Sequence, residues 1–189
     1  MPSNLIQYKV FLAWTSNLQK EKEKFEDVLN SFSREREEEY CQSFRAVHSS
    51  QISSSFGRPQ AVINEKIKSC DYAVFVLYDN LGSDAGGEGK KTGIEEEWDF
   101  VKQLQQNRKI RDVALFFKKL ETDKEKDPGD NLKKLLSFKD RIRKEVFFNE
   151  YSTLEDFENK LRKRLIEWAS SLVQNNKDEN SFPLLEYST

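Results

Sequence analysis

The stretch that decides the fold is Tyr72-Ala73-Val74-Phe75-Val76-Leu77-Tyr78. It is apolar at both odd and even positions and rich in β-branched and aromatic residues. A strand buried on both faces needs that pattern, and such strands lie at the centre of parallel sheets. Working outward, Tyr8-Lys9-Val10-Phe11-Leu12-Ala13-Trp14 and Val113-Ala114-Leu115-Phe116-Phe117 read as further strands. Ser43 to Val47 is a weaker strand, and Val146-Phe147-Phe148 is expected to be a last, short one.

Helical spacing separates these runs. Phe25, Val28, Leu29 and Phe32 fall at i, i+3, i+4 and i+7, with Thr15, Ser16 and Asn17 offering a cap upstream. Pro59 suits a helix start before Val62, Ile63 and Ile67. Ile94, Trp98, Val101 and Leu104 mark another helix, and Leu132 to Ile142 a fourth. Leu154, Phe157, Leu161, Leu165, Trp168 and Leu172 make the clearest apolar stripe. The alternation of strand and helix predicts an α/β protein, a flavodoxin-like, doubly wound, five-stranded parallel sheet with helices on both faces. Residues 1–174 form the expected domain and 175–189 a polar tail or linker. In such sheets ligands bind at the carboxyl ends of the strands, near the switch point between the first and third. The segments after Trp14 and Tyr78 are therefore the places to look.

Composition narrows the function. The 189 residues hold 31 Lys+Arg against 33 Asp+Glu, a near balance that argues against a dedicated nucleic-acid binder. The 14 Phe, 6 Tyr and 3 Trp suffice for a real core. Two cysteines, Cys41 and Cys70, form no CxxC and read as packing residues, which points to a reducing compartment. His48 is the single histidine, so neither a His-rich metal site nor a Ser-His-Asp triad is expected. No apolar run approaches the ~20 residues of a membrane span, and Met1 to Gln7 lacks the features of a signal peptide. A cytoplasmic protein with no metal and no membrane partner is the expectation. Arg162-Lys163-Arg164 is expected on the solvated face of the last helix.

Glu97 is the leading candidate for chemistry. It follows Ile94 by three and precedes Val101 by four, so it shares their inward face near a helix N-terminus. The plainer reading is that Glu95, Glu96 and Glu97 together suit a helix start. Asp79 leaves the central strand for a Gly-rich loop containing Gly82 and Ser83; it could accept hydrogen bonds from a sugar or base, or simply form a turn. Trp14 could stack on a flat ring, with Thr15 and Ser16 binding ribose or phosphate; the alternative is a core Trp and a helix cap. Gly89-Lys90-Lys91-Thr92 imitates a phosphate loop, but Asp84 stands where the first Gly belongs and Lys91 where Ser or Thr is required.

These segments carry a resemblance. Val10-Phe11-Leu12-Ala13-Trp14-Thr15-Ser16-Asn17-Leu18 followed by Glu21 resembles the "VFxSST-x-DL-x-x-E" opening of TIR-like domains, as found N-terminal in bacterial STAND NTPase defence proteins. Cys70 to Leu77 resembles their "cD-x-x-V-x-x-l" central strand, and Gly93 to Trp98 their "G-T-E-E-E-F". The wider superfamily includes nucleoside deoxyribosyltransferases, whose "G-T-x-x-E-l-G-x-A" nucleophile aligns with Glu97 when Gly93 is matched to the first Gly. Ile94 replaces the usual Thr, and Ala13-Trp14 the usual Ser-Ser, so the contacts of the first loop differ. The resemblance, over roughly residues 8–172, implies an N-glycosidic bond-cleaving domain that consumes NAD or a related nucleotide as substrate, not cofactor, in antiphage defence. It implies Glu97 as the catalytic carboxylate and Asp79 as a base or sugar contact. It also implies self-association on activation and an NTPase or sensor domain in the same chain or system. The alternatives are a non-catalytic signalling domain binding a nucleotide or protein partner, and a deoxyribosyltransferase.

Overall fold

A computed structural model of the chain describes residues 5–48, 59–82, 91–121 and 129–179. Five strands, β1 (Ile6–Trp14), β2 (Gln42–His48), β3 (Tyr72–Leu77), β4 (Asp112–Lys118) and β5 (Asn149–Tyr151), form one sheet in the order β2-β1-β3-β4-β5. Every neighbouring pair is parallel. This is the flavodoxin-like doubly wound order, with its switch point between β1 and β3. All six residues of β3 are buried, as its continuous apolar run requires.

The helices are α1 (Gln19–Tyr40), α2 (Pro59–Lys68), α3 (Gly93–Gln106), α4 (Asp130–Ile142) and α5 (Leu154–Glu179). Two cores result. Val10, Leu12, Val74 and Phe116 meet α1 and α5 on one face of the sheet. Phe11, Ala13, Phe75 and Leu115 meet α2, α3 and α4 on the other. Strand alternation alone produces this division, because successive side chains point to opposite faces. On the first face the Tyr72 and Trp168 rings stack with centroids 4.3 Å apart, and the Trp168 indole N–H donates to Asp112 Oδ2 at 2.7 Å. Among the described residues no helix is long and apolar enough to cross a membrane.

The outer rim of β2 is occupied from within at one residue, Phe44. The Ser33 hydroxyl of α1 accepts from the Phe44 N–H at 2.7 Å and donates to the Phe44 carbonyl at 2.9 Å. The opposite rim is thinner. β5 pairs with β4 only at Phe116, Phe117 and Lys118.

Four expectations need correction. The last strand is Asn149–Tyr151, not Val146–Phe148: ladder pairing with β4 begins at Asn149, and Phe147 is 99% exposed. No side-chain cap opens α1. A 3-10 turn, Ser16–Leu18, intervenes, and the Thr15 hydroxyl bonds the Asn17 side chain instead. The last helix continues to Glu179, past the stripe that ends at Leu172. Arg162 and Arg164 are not merely solvated. Arg162 reaches Glu35 and Ser31 of α1, and Arg164 reaches Asp112 and Glu167. Of the cysteines, Cys70 is buried, and Cys41 ends α1 in the left-handed region at φ 51°.

Candidate active site

Thr92 precedes α3 with its side chain buried and closes a capping box. Its hydroxyl accepts from the Glu95 N–H, and the Glu95 carboxylate accepts from the Thr92 N–H. This starts the helix abruptly at the carboxyl ends of the strands and fixes which way each side chain points. The three adjacent glutamates then do different things. Glu95 serves the cap and also faces Arg141. Glu96 is half-exposed. Glu97 is buried at 6% exposure, among Ile94, Trp98 and Val101 on the inward face of α3. Suitability for a helix start therefore explains Glu95 but not Glu97.

No described residue gives the Glu97 carboxylate a hydrogen bond or an ion pair. Burial alone raises its pKa to about 8, so the carboxyl holds its proton at neutral pH. Removing the cap should be felt here. Thr92→Ala should cost about 1 kcal/mol in urea unfolding. The loosened first turn should admit water to Glu97 and lower its pKa, a change visible in carboxyl-carbon NMR.

A polar network joins the ends of β1 and β3 at the switch point. The Thr15 hydroxyl, itself buried, donates to Asn17 Oδ1 at 2.6 Å, and Asn17 Nδ2 donates to Asp79 Oδ1 at 2.6 Å. Asn80 Nδ2 donates to the same Asp79 oxygen at 2.8 Å, while Asn80 Oδ1 accepts from the Gly82 N–H at 2.9 Å. That last bond folds the chain into an Asx turn, and Gly82 takes φ +79°, which a side chain would resist. Asn80 thus forms the turn, and Asp79 accepts from both sides and ties the two strand ends together. Ser16 is exposed in the 3-10 turn. Ser83 lies outside the described residues, as do Gly86, Gly87, Gly89 and Lys90 of the phosphate-loop imitation.

The structure does not bring all the candidates together. Trp14 belongs to the α1 face, where it packs edge-on against His48 with centroids 5.6 Å apart and lies under the Lys22 ammonium. Glu97 belongs to the opposite face. His48 ends β2 and its Nε2 contacts Glu26 at 2.6 Å, yet burial outweighs that carboxylate and lowers the imidazole pKa. Burial likewise pushes the Cys70 thiol up to about 11, leaving it unreactive.

Three residues escaped the sequence reading. Asn17, the bridge between Thr15 and Asp79, had only its place beside two hydroxyls to mark it. Lys118 follows the apolar run of β4, and a lysine at the carboxyl end of a buried strand is a usable signal. Its ammonium meets Glu21 at 2.8 Å and covers the Tyr78 ring at 5.3 Å. Tyr151 ends β5 with a buried hydroxyl that has no hydrogen-bond partner within normal geometry among the described residues, and burial first, then nearby Glu21, raises the phenol's pKa. Among the described residues no group of three or more His, Cys, Asp or Glu sits together as metal ligands.

Strand order and parallel pairing define a doubly wound α/β protein with a polar network at its switch point and a buried carboxyl, Glu97, on the first turns of α3. The chain belongs to the family described as "Domain of unknown function (DUF4062)", which matches residues 9–166. No curated protein matches it. Among solved structures, that of the RPS4 and RRS1 TIR domain heterodimer is similar at 13% identity and a TM-score of 0.47, covering 86% of this chain and 97% of that one.

Proposed function

We propose that the domain cleaves the N-glycosidic bond of NAD or a related nucleotide, with Glu97 as the essential carboxylate. The observation that carries this reading is a buried carboxyl near the start of α3 that has no ion pair or hydrogen bond among the described residues. Burying such a group costs stability, and a stable fold has no need of it. In glycosidic cleavage the bond from the anomeric carbon to the base nitrogen breaks and its electron pair leaves with the base. Positive charge builds on the sugar, and a carboxylate held in a dry site stabilises or traps that cation. Water then completes the sugar and gives up a proton. Asp79 and Asn17 would set the shape of the sugar-binding end. The biological setting inferred from the sequence resemblance is antiphage defence, with activity switched on by self-association.

The test is NAD consumption by the purified chain at high concentration, wild type beside Glu97→Ala, with products separated by chromatography. Nicotinamide release by wild type alone is expected. Equal release by a folded Glu97→Ala protein would refute the assignment.

One observation favours a second reading, a non-catalytic domain that binds a nucleotide or protein partner. Trp14 faces away from Glu97, so the ring and the carboxyl do not converge on one ligand. Saturable nucleotide binding without turnover, unaffected by Glu97→Ala, would identify that case.

A further inference from the structure

A pocket opens beyond the switch point, at the carboxyl ends of β3 and β4 beside β5. It has a volume of about 220 Å³. Tyr78, Lys118, Lys119, Lys139 and Glu150 supply its polar and aromatic lining, and Phe117 and Leu136 part of its floor. It lies one residue from Asp79 along the chain, but no Glu97 atom lines it.

Its charge is organised. Lys118 is held by Glu21, which is 4% exposed, and Lys139 by Glu150 at 2.6 Å. Phe117 and Phe148 lie beneath the Lys139 ammonium at 4.9 and 5.3 Å. No ion pair holds Lys119 among the described residues. Three lysines therefore line the pocket with one lining carboxylate, Glu150, while Glu21 lies behind Lys118 and Asp156 acts on Lys119 from farther off.

In the Glu21–Lys118 pair the carboxylate is buried and the lysine is a third exposed, so desolvation of Glu21 offsets much of the attraction. What the pair does is fix an ammonium over the face of Tyr78. Two lysines held in place and a third with no ion pair among the described residues make a preformed cationic site, with the Tyr78 ring positioning Lys118. Whole-ligand pockets run to about 300–1,000 Å³, so this one suits a single charged fragment. We propose that this pocket binds the phosphate or diphosphate of a phosphorylated small molecule, with Lys118, Lys119 and Lys139 as its cationic ligands. The site stands whether or not Glu97 cleaves NAD. The phosphates belong either to the substrate itself or to a separate ligand.

The experiment titrates inorganic pyrophosphate into the isotope-labelled full chain and follows backbone amide resonances by NMR. Saturable shifts at Tyr78, Lys118, Lys119 and Glu150 are expected. They should weaken by about tenfold or more in Lys119→Glu. Lys119 is exposed, so that variant should keep the fold. Lys109→Glu, an exposed charge reversal near the amino end of β4, should bind as wild type does. Absence of saturable shifts at those residues, or equal binding by Lys119→Glu, overturns the proposal. A parallel titration of Glu97→Gln with NAD separates the two sources. Shifts at the same residues assign the phosphates to the substrate; shifts with pyrophosphate alone assign them to a separate ligand.

Discussion

Glu97→Gln should stabilise the folded chain at alkaline pH and abolish glycosidic cleavage together. The sign follows from the raised pKa. Below about pH 4.5 the carboxyl is protonated in both the folded and the unfolded chain. Between that value and about 8, only the folded chain keeps the proton. Stability therefore falls as pH rises through this window, by at most about 1.4 kcal/mol per pH unit. Above about 8 the penalty is constant. Gln carries no such penalty, so the variant's advantage should be nearly absent at pH 4.5 and greatest above 8. Urea midpoints across that range measure it, and parallel curves for the two proteins would contradict the burial-raised pKa of Glu97. Activity should fall by about a thousandfold, since an amide cannot offset a developing cation. The wild-type pH profile is a separate check. Only the ionised form serves, so kcat/KM should climb with pH and level off near 8. The positively charged pyridinium of bound NAD favours the ionised form, which should shift the kcat profile to lower pH.

Trp168→Ala should be the most damaging core substitution. The indole is 3% exposed, stacks on Tyr72 and donates to Asp112. Losing so large a buried side chain costs about 4 kcal/mol, a large part of the ~5–15 kcal/mol typical of a whole domain. Trp168→Phe keeps an apolar ring against Tyr72 but drops the hydrogen bond, for a loss of about 1 kcal/mol. Denaturant unfolding of the two variants separates the contributions. Similar losses in both would mean that the Asp112 contact, not the buried ring, dominates.

Much of the fold was legible because one-dimensional patterns encode it. The uninterrupted apolar run of β3 marks a strand covered on both sides, and the stripe from Leu154 to Leu172 marks a helix lying on a sheet. Val146-Phe147-Phe148 misled because its residues favour strands, whereas ladder pairing depends on the register of β4, which composition does not reveal. The candidate site divides in the same way. The inward position of Glu97 follows from helical spacing. That Glu95 and not Glu97 serves the cap requires knowing where α3 begins. The Asn17–Asp79 and Glu21–Lys118 contacts join residues 62 and 97 positions apart. Strand order alone makes them neighbours, and no local pattern carries strand order.

The hydroxyl of Ser33 has a consequence for how molecules of this protein meet. A bare rim on a sheet is a template on which strands from other chains can accrete, and many proteins defend it with charges, prolines or bulges. Here one oxygen atom on a neighbouring helix occupies both the amide and the carbonyl of Phe44. Copies arriving at this margin find that residue's N–H and carbonyl already engaged, so a continuous intermolecular ladder would have to skip or displace that bond. Occupying that one position disfavours indiscriminate backbone zippering along β2 and favours contacts set by side chains.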